Sequence, residues 1–80
     1  MKKLTVIIPC YNELKTINII INKILEINFI ETQIIVVDDN SIDGSEKIIK
    51  NFLKEKKIEA IFHNQNLGKG ACIISAKKYI

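Results

Sequence analysis

The sequence predicts an α/β fold: three parallel strands alternate with three helices in the order βαβαβα, and the strands lie side by side as 3-2-1. Three observations carry that reading. Gln33-Ile34-Ile35-Val36-Val37 is an apolar run without polar alternation, the pattern of a strand buried on both faces of a parallel sheet. A second such run, Leu4-Thr5-Val6-Ile7-Ile8, precedes it, and Ile17, Ile20, Ile21, Ile24 and Leu25 recur between the two at helical spacing. A further strand-like run, Ile58 to Phe62, follows a second amphipathic stretch.

The first strand, Leu4 to Ile8, is expected to stop at Pro9, which has no N–H for a ladder. The first helix spans about Leu14 to Ile27, with Lys15, Asn18, Asn22, Lys23 and Glu26 on its wet face and Asn28 as its stop. The second strand is Gln33 to Val37. Ser41 or Asp43 then caps a second helix whose stripe is Ile48, Ile49, Phe52 and Leu53. It ends in Lys54-Glu55-Lys56-Lys57, lysines that suit the helix dipole. The third strand, Ile58 to Phe62, leads through His63-Asn64-Gln65-Asn66-Leu67 and Gly68-Lys69-Gly70 into a third helix carrying Ile73, Ile74 and Ala76. This is half of a doubly wound sheet, one domain over residues 1–80 that lacks the fourth strand such a sheet places beside the first. Leu4 to Ile8 is therefore an edge, a template for association.

Eighty residues bury only about 60–65% of the unfolded surface, so the core is marginal. The net charge of +3 is carried by lysines spread over helix faces, which argues against nucleic acid as a partner. Cys10 and Cys72 match no zinc or redox spacing and read as small apolar fillers in a reducing compartment. Lys2-Lys3 is followed by too short an apolar run for a signal peptide, and no stretch is long enough to span a bilayer. The expected location is cytoplasmic.

Ligands of open α/β sheets sit outside the carboxyl ends of the strands. Asp38 and Asp39 fall there, at the end of the second strand. Adjacent carboxylates can accept hydrogen bonds, hold a cation or manage a proton. A helix cap needs one aspartate, and two repel, so the pair points to function, whereas Asn40 and Ser41 suit an ordinary turn. The loops after the first and third strands open at the same edge. Pro9 could merely end its strand, Tyr11 pack, and Glu13 favour a helix start; Gly68 and Gly70 could only shape a turn, with Lys69 solvated. Together they supply an aromatic face, carboxylates, and a lysine beside amides at a helix start, the parts of a nucleoside-diphosphate site.

Known nucleotide motifs do not account for these residues. Gly-x-x-x-x-Gly-Lys-Ser/Thr is absent, and Gly68-Lys69-Gly70-Ala71-Cys72-Ile73 lacks the third glycine of the dinucleotide fingerprint. A response-regulator receiver carries its acidic pair after the first strand and its phosphoacceptor Asp after a later one, but no Asp follows Asp43.

Val6-Ile7-Ile8-Pro9-Cys10-Tyr11-Asn12-Glu13, Ile35-Val36-Val37-Asp38-Asp39-Asn40-Ser41-Ile42-Asp43-Gly44-Ser45 and Asn66-Leu67-Gly68-Lys69-Gly70-Ala71 resemble, in order and spacing, the start of family 2 glycosyltransferases. The closest look is to the dolichol- or polyprenyl-phosphate mannose synthase-like enzymes. The resemblance implies the N-terminal nucleotide-binding part of a GT-A (Rossmann-like) fold. It also implies a UDP- or GDP-sugar donor, Mg²⁺ or Mn²⁺, inversion at the anomeric carbon, and a polyprenyl phosphate or glycan acceptor at the cytoplasmic membrane face.

By the same resemblance, Pro9 and Tyr11 line the base pocket with Tyr11 stacking, and Glu13 meets the ribose or the lysine-rich loop. Asp39 accepts from the base N–H, Val37 forms the wall beside it, and Lys69 lies near the diphosphate. Asp38 supports the loop from behind; Asp43 and Gly44 are structural. Two departures stand out. Ile74 and Ala76 occupy positions where the family commonly has Arg and Gly, and the family's metal-binding Asp-x-Asp and catalytic base lie beyond the residues present. The chain is thus expected to carry part of a donor site and no catalytic group; the alternative is a small non-catalytic nucleotide-binding domain.

Overall fold

The computed structural model describes residues 2–80. Its centre is a strand, β2 (Glu31–Asp38), flanked in parallel by β1 (Lys3–Cys10) and β3 (Glu59–Phe62). The spatial order β1-β2-β3 is the expected 3-2-1. Ile34 through Asp38 are all buried, as an unalternated apolar run requires. Successive residues serve opposite faces. Ile34 and Val36 pack with Ile17 and Ile21 of α1 (Ile17–Leu25) and with Ile49 and Phe52 of α2 (Ser45–Lys54). Ile35 and Val37 pack instead with Cys72 and Ala76 of α3 (Lys69–Ala76), which a short 3₁₀ turn, Lys77–Tyr79, follows. Burying each such Ile or Val contributes about 1.5–3 kcal/mol, so β2 is the energetic middle of the fold.

Four local details differ from expectation. First, Pro9 does not end its strand: β1 runs to Cys10, with Pro9 opposite Val37. β1 is an edge strand, and its ladder to β2 leaves one side on which a missing N–H costs nothing. Secondly, α1 begins at Ile17 rather than Leu14 and ends at Leu25. Leu14 to Thr16 form only a turn, in which the Glu13 carbonyl accepts from Thr16 N–H at 3.0 Å and Ile17 N–H at 2.8 Å, while Asp43 Oδ2 accepts from the Leu14 amide at 3.0 Å.

Thirdly, Ser41 does not cap α2. Its N-cap is Gly44, at a φ of +100° that favours glycine, while Asp43 Oδ1 accepts from the Ser45 amide at 3.0 Å. Fourthly, Ile73 and Ile74 of α3 point outward, because the pair four residues apart that meets the sheet is Cys72 and Ala76. The end of α2 is a Schellman turn: Lys57 N–H bonds Phe52 C=O at 3.2 Å and Lys56 N–H bonds Leu53 C=O at 2.9 Å. Lys56 sits there at a φ of +61°, where glycine is the usual occupant.

Candidate functional site at the carboxyl edge

Parallel pairing sets β1, β2 and β3 to end together, since Cys10 faces Asp38 and Asp38 faces Phe62. The three following loops therefore meet. The first two are tied by side chains that reach across. Ser41 Oγ accepts from Asn12 N–H at 2.9 Å, Ser45 Oγ from Glu13 N–H at 3.0 Å, and Asn12 Oδ1 from Ile42 N–H at 2.9 Å. Asp43 bridges both loops, and its carboxyl is held below the ordinary value chiefly by the Ser45 hydroxyl bond. Asp43 and Gly44 are structural, in keeping with the resemblance.

A cleft of about 70 Å³ opens among these loops, lined by Pro9, Cys10, Tyr11, Glu13, Asp39, Lys69 and Cys72. Five of the six residues singled out from sequence thus share one hollow. Tyr11 is 47% exposed, an aromatic face with room for a partner. Lys69 opens α3 at the rim, and the Glu13 carboxylate accepts from the Thr16 hydroxyl at 3.0 Å. Val37 lies one layer deeper, fully buried against Cys72, and the wall beside Asp39 is made by the two cysteines.

The acidic pair divides its work. Asp38 is buried; its Oδ2 accepts from Ser41 N–H at 3.1 Å, and its Oδ1 has no hydrogen-bond partner. It supports the loop from behind. Burial first, and then the charge of Asp38, pushes the neighbouring Cys10 thiol up to about 11. Asp39 is also buried, and it holds the third loop: Oδ1 accepts from His63 Nδ1 at 2.7 Å and from Leu67 N–H at 2.9 Å, while Oδ2 accepts from Gly68 N–H at 2.8 Å. The His63 bond is the main reason its carboxyl lies below the ordinary value, against the opposing effect of burial. The two amides just before α3, of Leu67 and Gly68, are consequently engaged within the protein.

His63 and its second partner, Ser75 Oγ at 2.8 Å from Nε2, were not singled out by the sequence reading. Register could have found His63: it follows Phe62 as Asp39 follows Asp38, on the adjacent strand. Among the described residues, Asp39, His63 and Cys72 form the one group whose donor atoms lie close enough to share a metal, all within 4.8 Å. A thiol and an imidazole are poor donors for Mg²⁺ or Mn²⁺, which favour oxygen, so the residues here do not fit that cation. A larger hollow of about 640 Å³ runs between α1 and α2 but gathers no such set of groups.

A family model described as Glycosyl transferase family 2 matches residues 5–79. The chain belongs to that family. Among its relatives, a GalNAc(5)-diNAcBac-PP-undecaprenol beta-1,3-glucosyltransferase of Campylobacter jejuni is 36% identical over 70 residues, 88% of this chain and 23% of the relative. A UDP-N-acetylglucosamine--dolichyl-phosphate N-acetylglucosaminyltransferase of Methanococcus voltae is 36% identical over an alignment of 90 positions, 96% of this chain and 35% of the relative. The chain therefore spans about a quarter to a third of the length of these relatives.

Solved structures agree on the fold. The mannosyltransferase PcManGT from Pyrobaculum calidifontis, in complex with GDP-Man and Mn²⁺, superposes with a TM-score of 0.85 at 23% identity, over 96% of this chain and 24% of that one. Staphylococcus aureus TarS 1-349 gives 0.83 at 28% identity, over 99% of this chain and 24% of that one. The family 2 chain is thus a GT-A-type α/β unit. Among its described residues, no helix is long and apolar enough to cross a membrane.

Proposed function

We propose that this edge is the nucleotide-recognising part of the donor site of an inverting glycosyltransferase that uses a nucleoside-diphosphate sugar. The observation that carries it is the single cleft shared by Pro9, Tyr11, Glu13, Asp39 and Lys69. In this reading the base stacks on Tyr11 beside Pro9, its ring N–H meets Asp39, the ribose lies toward Glu13, and Lys69 faces the diphosphate. Val37 supports the wall through Cys72.

At about 70 Å³ the cleft is well below the roughly 300–1,000 Å³ of a complete small-molecule pocket, so it grips one edge of the donor. A divalent cation on the diphosphate, Mg²⁺ or Mn²⁺, is part of the proposal, and these residues supply no ligands for it. Mn²⁺ in the PcManGT complex and UDP in a TarS complex support the donor class. The undecaprenol- and dolichyl-linked names of two relatives support a lipid-linked acceptor at the cytoplasmic membrane face.

Calorimetry of the chain with UDP, GDP and UDP-sugars tests this. Saturable binding of millimolar order is expected, and Tyr11→Ala, at an exposed ring, should weaken it about tenfold through lost stacking. Absence of saturable binding by any nucleotide, or binding indifferent to Tyr11→Ala, would overturn the proposal.

A further inference from the structure

Asp39 makes more internal bonds than a base acceptor needs, and their arrangement has a consequence for selectivity. An ionised carboxylate has about four acceptor positions, two on each oxygen. Both positions on Oδ1 are filled, by His63 Nδ1 at 2.7 Å and Leu67 N–H at 2.9 Å. Oδ2 holds the Gly68 amide at 2.8 Å and keeps one position open. The His63 and Asp39 side chains are only 8% and 5% exposed, so water competes weakly for these bonds. Because its partner is a carboxylate, Nδ1 carries the proton, and the Ser75 hydroxyl 2.8 Å from Nε2 completes the ring's bonding and fixes its plane.

We propose that His63, held by Ser75, positions Asp39 so that its carboxylate keeps a single open acceptor position, and that this selects a base with one ring N–H, uracil, over guanine. The inference rests on the donor-site reading above. Guanine presents two adjacent donors, its ring N–H and its exocyclic amine, and needs an open position on each carboxylate oxygen. With Oδ1 closed, the second donor finds no partner on Asp39, whose carboxylate is itself shielded from water. Uracil presents one N–H between two carbonyls and leaves no donor unpaired. His63 is thus a positioning residue that acts through Asp39.

The experiment titrates the full chain with UDP and with GDP. UDP should bind about tenfold or more tightly, the effect of one unpaired donor. His63→Ala reopens a position on Oδ1, so the ratio should fall toward one by a gain in GDP affinity. His63→Asn, whose amide nitrogen can stand where Nδ1 stands, should keep the preference. Ser75→Ala, a milder change on a half-buried residue, should narrow the preference and keeps the test open if His63→Ala does not fold. A merely structural histidine would weaken both nucleotides alike and leave the ratio unmoved, which would overturn the inference. Equal affinity in the parent overturns the base selection alone. Failure of the parent to bind either nucleotide overturns the donor-site reading, and the selection with it.

Discussion

At the carboxyl end of the sheet, Ser41, Asp43, Ser45, Asn12 and Asp39 each bond the backbone of another loop, 28 to 32 residues away in sequence. At the amino end, Phe29 stands 86% exposed in the turn before β2, beside Ile30 and Glu31 and near Lys2. The same sheet therefore has one end whose loops are tied to each other's backbone by long-range bonds. At the other end the long-range polar bonds gather on one strand residue, Gln33, which accepts from the Thr5 hydroxyl and donates to the Glu59 carboxylate and the Tyr79 carbonyl. The difference teaches where rigidity is placed: the loops that line the cleft are held by groups that only tertiary structure brings together.

The largest effect should come from cutting the fixed end. Asp39→Ala strands two amides and an imidazole in a partly buried place and should lower unfolding free energy by about 3 kcal/mol, read from urea denaturation. Phe29→Ser, at the other end, should stay within about 0.5 kcal/mol. Equal losses would erase the contrast.

A middle effect follows from the cysteines beneath the cleft. Burial raises both thiols, Cys10 to about 11 from 9.0. Both folded values exceed the unfolded ones; for Cys10 the contribution is whole below about pH 9 and is lost as pH rises through about 11. The urea midpoint should fall more steeply across that range in the parent than in Cys10→Ala; parallel curves would show the thiol to be uninvolved. The smallest effect lies away from the cleft. Lys56→Gly relieves a left-handed φ and should add about 1 kcal/mol, seen as a higher urea midpoint.

Much of this fold was legible because it follows from local pattern. Ile34 to Val37 announced a strand wet on neither face, and the parallel order brought Tyr11 and Asp39 to one cleft. The misreadings share a cause. The turn that precedes α1 is bonded to Asp43 through the Leu14 amide, 29 residues away, and no helical periodicity encodes that. Ile73 and Ile74 looked like a core stripe by hydropathy, yet the smaller Cys72 and Ala76 let α3 approach the sheet. His63 was passed over as a loop polar residue, although its place directly after β3 set it beside Asp39.

The amides of Leu67 and Gly68, with Gly68 at a φ of +90°, converge on one anionic group. That group is Asp39, tethered to the same chain and so present at a high effective concentration. A dissolved anion entering there would have to displace a covalently attached rival that His63 also holds. Both amides are thus already engaged, and these loops should keep their shape whether the buffer contains phosphate and sulfate or not.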